Sequence, residues 1–73
     1  MDRADVERSV LLTDENIADC EQRIAKQREV ILQLEAEQRD TTEENLRLEA
    51  LHNLQRAYVT IRERLRAELD NPR

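Results

Sequence analysis

Nine consecutive residues without an apolar side chain, Glu37-Gln38-Arg39-Asp40-Thr41-Thr42-Glu43-Glu44-Asn45, interrupt a chain that otherwise places one every three or four positions. Upstream of the gap, Val10, Ile17, Ile24 and Ile31 recur every seven residues, with Thr13, Cys20, Gln27 and Leu34 at the intervening position. This is the a/d stripe of a helix packed on another helix. Downstream, Leu48, Leu51, Leu54, Tyr58, Ile61, Leu65 and Leu69 fall on one helical face. The two stripes are out of phase. Ile31 and Leu51 lie 20 residues apart, and at about 100° per residue they would point roughly 200° apart on a single straight helix. A reversal within the polar gap removes the conflict and sets the two stripes against each other.

One register aligns the apolar positions. Pairing residues whose numbers add to about 82 sets Leu34 against Leu48, Ile31 against Leu51, Ile24 against Tyr58, Ile17 against Leu65 and Thr13 against Leu69. Cys20 then falls near Ile61, and Gln27 near Leu54. The turn is centred on Thr41 in this scheme, and Val6, Val10 and Leu11 extend past the end of the second arm. Those three need cover from elsewhere, which predicts a second chain. Local signals set the bounds. Asp2 and Asp5 suit a helix N-terminus, Thr41 with Glu44 matches a capping box, and Asn71-Pro72 stops the second helix. Arg62, Arg64 and Arg66 gather toward the C-terminal end, where the helix dipole favours cations. Thr13-Asp14-Glu15-Asn16 could cap an internal helix start, but no Gly or Pro forces a break there, so continuity is favoured. The expected architecture is all-α, one domain over residues 1–73. Helix 1 covers about 3–37, the turn about 38–41 and helix 2 about 42–70.

Composition narrows the function classes. Gly is absent, Pro occurs once, Tyr58 is the one aromatic residue, and 40% of the residues are charged. Such a chain suits long helices and not a sheet. The formal net charge is −5, with 12 basic against 17 acidic residues, so a partner with a phosphate backbone is not expected. No apolar run is long enough to span a membrane, and no charged n-region with an apolar segment after it opens the chain. A cytoplasmic location follows as the expectation, in keeping with a single cysteine, Cys20, that has no intrachain partner. A chain of 73 residues buries a small fraction of its surface, and chains of that size commonly gain stability from a disulfide, a metal or a second copy.

The segment Asn16-Ile17-Ala18-Asp19-Cys20-Glu21-Gln22-Arg23-Ile24-Ala25-Lys26-Gln27-Arg28 resembles small uncharacterised helical proteins of rhizobia and related alphaproteobacteria. These read roughly H-I-A-x-G-E-x-R-I-A-x-Q-R, followed by a polar turn ending in D-T and a helix ending R-x-R-L-x-x-E-L. The corresponding elements here are Asp40-Thr41 and Arg62-Glu63-Arg64-Leu65-Arg66-Ala67-Glu68-Leu69, so the resemblance covers roughly residues 16–69. Asn16 stands in place of the His and Cys20 in place of the Gly. The resemblance implies the same helical architecture and origin; it brings no activity.

Few residues bear on chemistry. Glu49 and His52 form an E-x-x-H motif, and four-helix di-iron proteins build their metal site from two such motifs plus further Glu residues. A dimer of hairpins would supply two copies, with Glu29 or Glu35 completing the set. Glu49 and His52 nevertheless sit about 160° and 100° from the inward Leu51, so a surface Glu and His are the simpler reading. Cys20 reads as a small buried hydrophobe at a d position. Gln27 is either a register-fixing polar group or a solvated one. Arg56, Arg62, Arg64 and Arg66 could meet an acidic partner or a phosphate, but Glu63 and Glu68 sit among them, so a solvated face is the default.

The chain is therefore expected to be a small cytoplasmic interaction or scaffold protein with no catalytic site and no cofactor. It would dimerise into a four-helix bundle. Its helix-to-helix interface and core would comprise Val6, Val10, Ile17, Cys20, Ile24, Ile31, Leu34, Leu48, Leu51, Leu54, Tyr58, Ile61, Leu65 and Leu69. Two alternatives stand beside it. One is a regulator pairing with a larger helical partner, such as a sensor or transcription factor. The other is a metal-binding bundle using Glu49 and His52.

Overall fold

The structure, a computed structural model, describes residues 2–70. The Asn71-Pro72 stop signal lies outside the described residues. Two helices, α1 (Arg3–Ala36) and α2 (Thr42–Asp70), fold back on each other as a hairpin. The rod they form measures 57 × 14 × 14 Å. Among the described residues there is no strand. α1 runs unbroken through Thr13-Asp14. Thr13 does not cap a new helix; its hydroxyl donates to the Ser9 carbonyl one turn back, at 2.7 Å, the usual outlet for a threonine inside a helix.

The reversal needs no glycine. Gln38 takes the left-handed conformation, φ 58°, just beyond the capping residue Glu37. The Gln38 amide donates to the Glu35 carbonyl at 3.0 Å, and the Arg39 amide to the Leu34 carbonyl at 2.9 Å. These two bonds make a Schellman closure, in which the last carbonyls of a helix are met by amides folding back over its end. α2 starts differently from the expected capping box. The Thr41 carbonyl accepts the first helical bond, from the Asn45 amide at 2.9 Å. The Thr41 hydroxyl, however, accepts from the Asn45 side-chain amide at 3.0 Å and not from the Glu44 amide. Asp40, one residue upstream, accepts from both the Thr42 amide (3.2 Å) and the Thr42 hydroxyl (2.7 Å), an Asx turn that aims the chain into the helix. Glu44 does not reach back to the cap, because its carboxylate is engaged across the hairpin by Gln27.

The register also differs from the expected one. Partner numbers add to 71 for Gln27 with Glu44, 72 for Arg3 with the Leu69 carbonyl, and 76 and 80 for Asp14 with Arg62 and Arg66. They centre on about 75, one heptad short of 82. Leu69 thus sits over the Arg3 end of α1 and not over Thr13. Val6 is only 4% exposed, so the N-terminal turns are covered by the chain's own α2. The expected overhang of Val6 and Val10 is removed, and these two residues no longer call for cover from a second chain. Leu11 alone of the three is fully outside, at 65% exposure.

α1 supplies the core: Val6, Ile17, Cys20, Ile24 and Ile31 are buried, together with Thr13. No residue of α2 is fully buried. Its half-buried face runs Glu44, Leu48, Leu51, Gln55, Tyr58, Arg62, Leu65 and Leu69, an unbroken alternation of four and three. Leu54 and Ile61, expected in the core, are instead 42% and 45% exposed. Relative to a stripe through Leu54 and Ile61, α2 is rolled by roughly 40° about its axis. That roll brings Gln55 and Arg62 inward, where long polar side chains can cover apolar neighbours with their stems and keep their heads at the edge.

Candidate interaction surfaces

Polar side chains tie the helices at two levels. Near the turn, the Gln27 side-chain amide donates to the Glu44 backbone carbonyl at 3.0 Å and to its carboxylate at 2.7 Å. The other carboxylate oxygen of Glu44 lies 3.6 Å from Arg47. An amide that satisfies both a carbonyl and a carboxylate at one position allows little slippage along the helix. Toward the open end, Asp14 accepts from Arg62 at 3.2 Å, with Arg66 at 3.9 Å. The Arg62 side chain is three-quarters covered, and its Nε is buried without a partner. The pair is open enough to water that it contributes on the order of 1 kcal/mol or less. Arg62 and Arg66 thus point across at Asp14. They do not serve the end of their own helix, whose last turn contains no basic residue.

Cys20 is 2% exposed and unpaired, packed as a small apolar side chain whose sulfur is closed to solvent reagents. Glu49 is exposed and His52 half-buried. His52 lines an open groove of about 300 Å³ with Glu21, Ile24, Ala25, Arg28 and Gln55. Glu29 and Glu35 are exposed, and no group of three His, Cys, Asp or Glu side chains converges among the described residues. Gln55, Arg62, Asp14 and Glu44 were not singled out from sequence as cross-helix contacts. The signal was present in the four-three alternation that starts at Glu44, but it runs through polar residues.

What remains outside is apolar in two stripes. On α1, Ala4, Leu11, Ala18, Ala25 and Leu32 recur every seven residues and are all exposed. On α2, the exposed residues Leu46, Ala50, Leu54, Ala57 and Ile61 follow one another at helical spacing. The two stripes lie on opposite edges of the hairpin. Ala25 lines the groove beside His52, which is turned about 100° one way from Leu51, whereas Ala50 is turned about 100° the other way. Their surroundings differ too. The α1 stripe is hemmed by Glu7, Asp14, Glu21, Arg28 and Glu35 on one side and by Arg8, Glu15 and Glu29 on the other. The α2 stripe is bordered on its outer side by Asn53 and Thr60, both bonded to Arg56, with the exposed Glu49 beside them.

No family model, curated protein or solved structure matches the chain.

Proposed function

We propose that the chain is a small helical interaction module that acts by self-association, through the faces its own hairpin leaves uncovered. One observation carries the reading. α2 has no fully buried residue, and Leu11, Leu12, Leu32, Leu46, Leu54 and Ile61 are all large apolar side chains at more than 40% exposure. Isolated exposed leucines are ordinary on a protein surface; aligned ones on a rod with half a core are a contact face. The expected core set from Val6 to Leu69 is used mainly within the chain, so recognition passes to the outer stripes. The reading places the protein in the cytoplasm, where a lone cysteine stays a thiol, and assigns it no catalytic step and no cofactor. No helix is long and apolar enough to cross a membrane among the described residues.

Sedimentation of the purified chain at micromolar concentration tests this, with an expected mass near twice 8.7 kDa. A monomer throughout that range, helical and cooperative in melting, would overturn it. A second reading, docking on a larger helical partner such as a sensor or transcription factor, is favoured by the presence of two separate stripes. Recovery of one stoichiometric partner from the native cell, lost on Leu11→Glu, would support it.

A further inference from the structure

We infer that α2 is a two-state helix. It rolls about its own axis between the face it shows to α1 and a second face through Leu54 and Ile61, and the Asp14–Arg62 pair is the latch on the observed roll. Three rows of α2, each repeating every seven residues, carry the argument. Glu44, Leu51, Tyr58 and Leu65 form the middle row, and Leu48, Gln55, Arg62 and Leu69 the row on one side of it; both are half-buried. Arg47, Leu54, Ile61 and Glu68 form the row on the other side, and all of them are exposed. The middle row belongs to both faces, so a roll of roughly 40° about it exchanges one outer row for the other. The outer rows are closely matched. Each holds two large aliphatic side chains and two long polar ones. Hydrophobic stabilisation follows the apolar area buried, and that area barely separates the two faces.

Polar contacts decide between them. Gln27 bonds to Glu44, a middle-row residue, so that clamp holds in either roll and keeps the register. Arg62 belongs to the row that turns out. Its bond to Asp14 at 3.2 Å, with Arg66 as a second cation at 3.9 Å, exists in the observed roll alone. Against this latch stands the Arg62 Nε, buried without a partner, which the second roll returns to water. A matched apolar exchange, a half-open ion pair on one side and an orphaned donor on the other leave a small difference between the rolls, the condition for a populated minor state. The inference concerns the hairpin alone and holds whether or not copies associate. Its consequence for a partner is that the roll sets whether Leu54 and Ile61 or Leu48 and Leu69 are presented outward.

Cys20 makes the two rolls distinguishable. In the register centred on about 75, Gln55 falls opposite Cys20, and in the second roll Leu54 takes that place. Full chains carrying Gln55→Cys or Leu54→Cys are oxidised, and closure of the disulfide to Cys20 within one chain is followed by mass, with helicity measured in parallel. Gln55→Cys should close readily and Leu54→Cys slowly but measurably. Adding Asp14→Ala should speed closure at Leu54→Cys by up to about fivefold, the shift that a pair of this exposure can hold, without speeding closure at Gln55→Cys. Arg62→Leu, which makes the observed face more apolar, should slow closure at Leu54→Cys with helicity retained. A Leu54→Cys chain that never closes, or whose rate is indifferent to Asp14→Ala and Arg62→Leu, overturns the two-state helix. So does Asp14→Ala speeding both closures alike, which is general loosening and not a roll. A Gln55→Cys chain that fails to close contradicts the register and overturns the inference with it.

Discussion

Replacing Gln38 with glycine should stabilise the hairpin. Gln38 is held at φ 58°, a region where a side chain with a Cβ crowds the following carbonyl at a cost of roughly 1–2 kcal/mol. Glycine escapes that crowding but loses more freedom on folding, which returns about 0.5–1 kcal/mol of the gain. The net expectation is about 0.5–1 kcal/mol in favour of Gln38→Gly. For a domain of this size a kilocalorie moves the melting temperature by about 4–8 °C, so the rise should be about 2–8 °C. The assay is thermal melting followed by circular dichroism, with chain concentration held fixed because association couples to stability. Glu37→Gly is the control. Glu37 has φ −87°, which any residue adopts, so glycine there should only lower the melting temperature. A Gln38→Gly chain that melts no higher than wild type, or a Glu37→Gly chain that melts higher, would refute the assignment of the left-handed position and with it the Schellman closure.

Ile24→Ala, at a buried a position, should cost about 2–5 kcal/mol and leave little helical signal, whereas Leu54→Ala, measured at concentrations where the chain is monomeric, should cost less than about 1 kcal/mol. A double-mutant cycle on Asp14 and Arg62 should give a coupling on the order of 1 kcal/mol or less that shrinks as salt is added; a coupling insensitive to salt would mean the pair is drier than its exposure indicates. The bonds from the Thr42 hydroxyl and amide hold the Asp40 carboxyl below its ordinary value of 3.8. A depressed folded value means that this contribution is complete above the unfolded value and is lost as pH falls through the folded one. Melts recorded on the acid side of pH 3.8 should therefore fall less steeply in Asp40→Ala than in wild type. Cys20 should react with a bulky disulfide reagent only after denaturation; rapid labelling of the native chain would contradict its burial.

The sequence carried the hairpin because two independent facts pointed the same way: a polar gap and two stripes that no single rod could satisfy. It did not carry the register. Taking every leucine and isoleucine as inward draws α2's stripe through Leu54 and Ile61 and centres the turn on Thr41. The chain instead turns at Gln38, whose left-handed backbone leaves no mark in a glutamine, and pairs with α2 rolled so that Gln55 and Arg62 face α1. The cost of those two polar residues is low because their stems are apolar, and a hydrophobicity pattern cannot register that. The capping box failed for a related reason. Thr41 and Glu44 have the right spacing, but Gln27, 17 residues away in the chain, competes for the same carboxylate. The Glu49 and His52 pair was readable as outward from its angle to Leu51, and the structure leaves Glu49 exposed and sets His52 at the rim of an open groove.

The contacts between Gln27 and Glu44 and between Arg3 and Leu69 span 17 and 66 residues of chain. Closing the longer loop from the unfolded state costs about 1.2 kcal/mol more than closing the shorter. With every cross-helix contact strung outward from a single turn, the clamp at Gln27 is the affordable first step, and each later layer adds only the few residues beyond the last. The hairpin should therefore zip from its turn and open from its free ends. Amide exchange should rise steadily from the Ile31 layer toward Val6, with α2 exchanging ahead of α1 at every level.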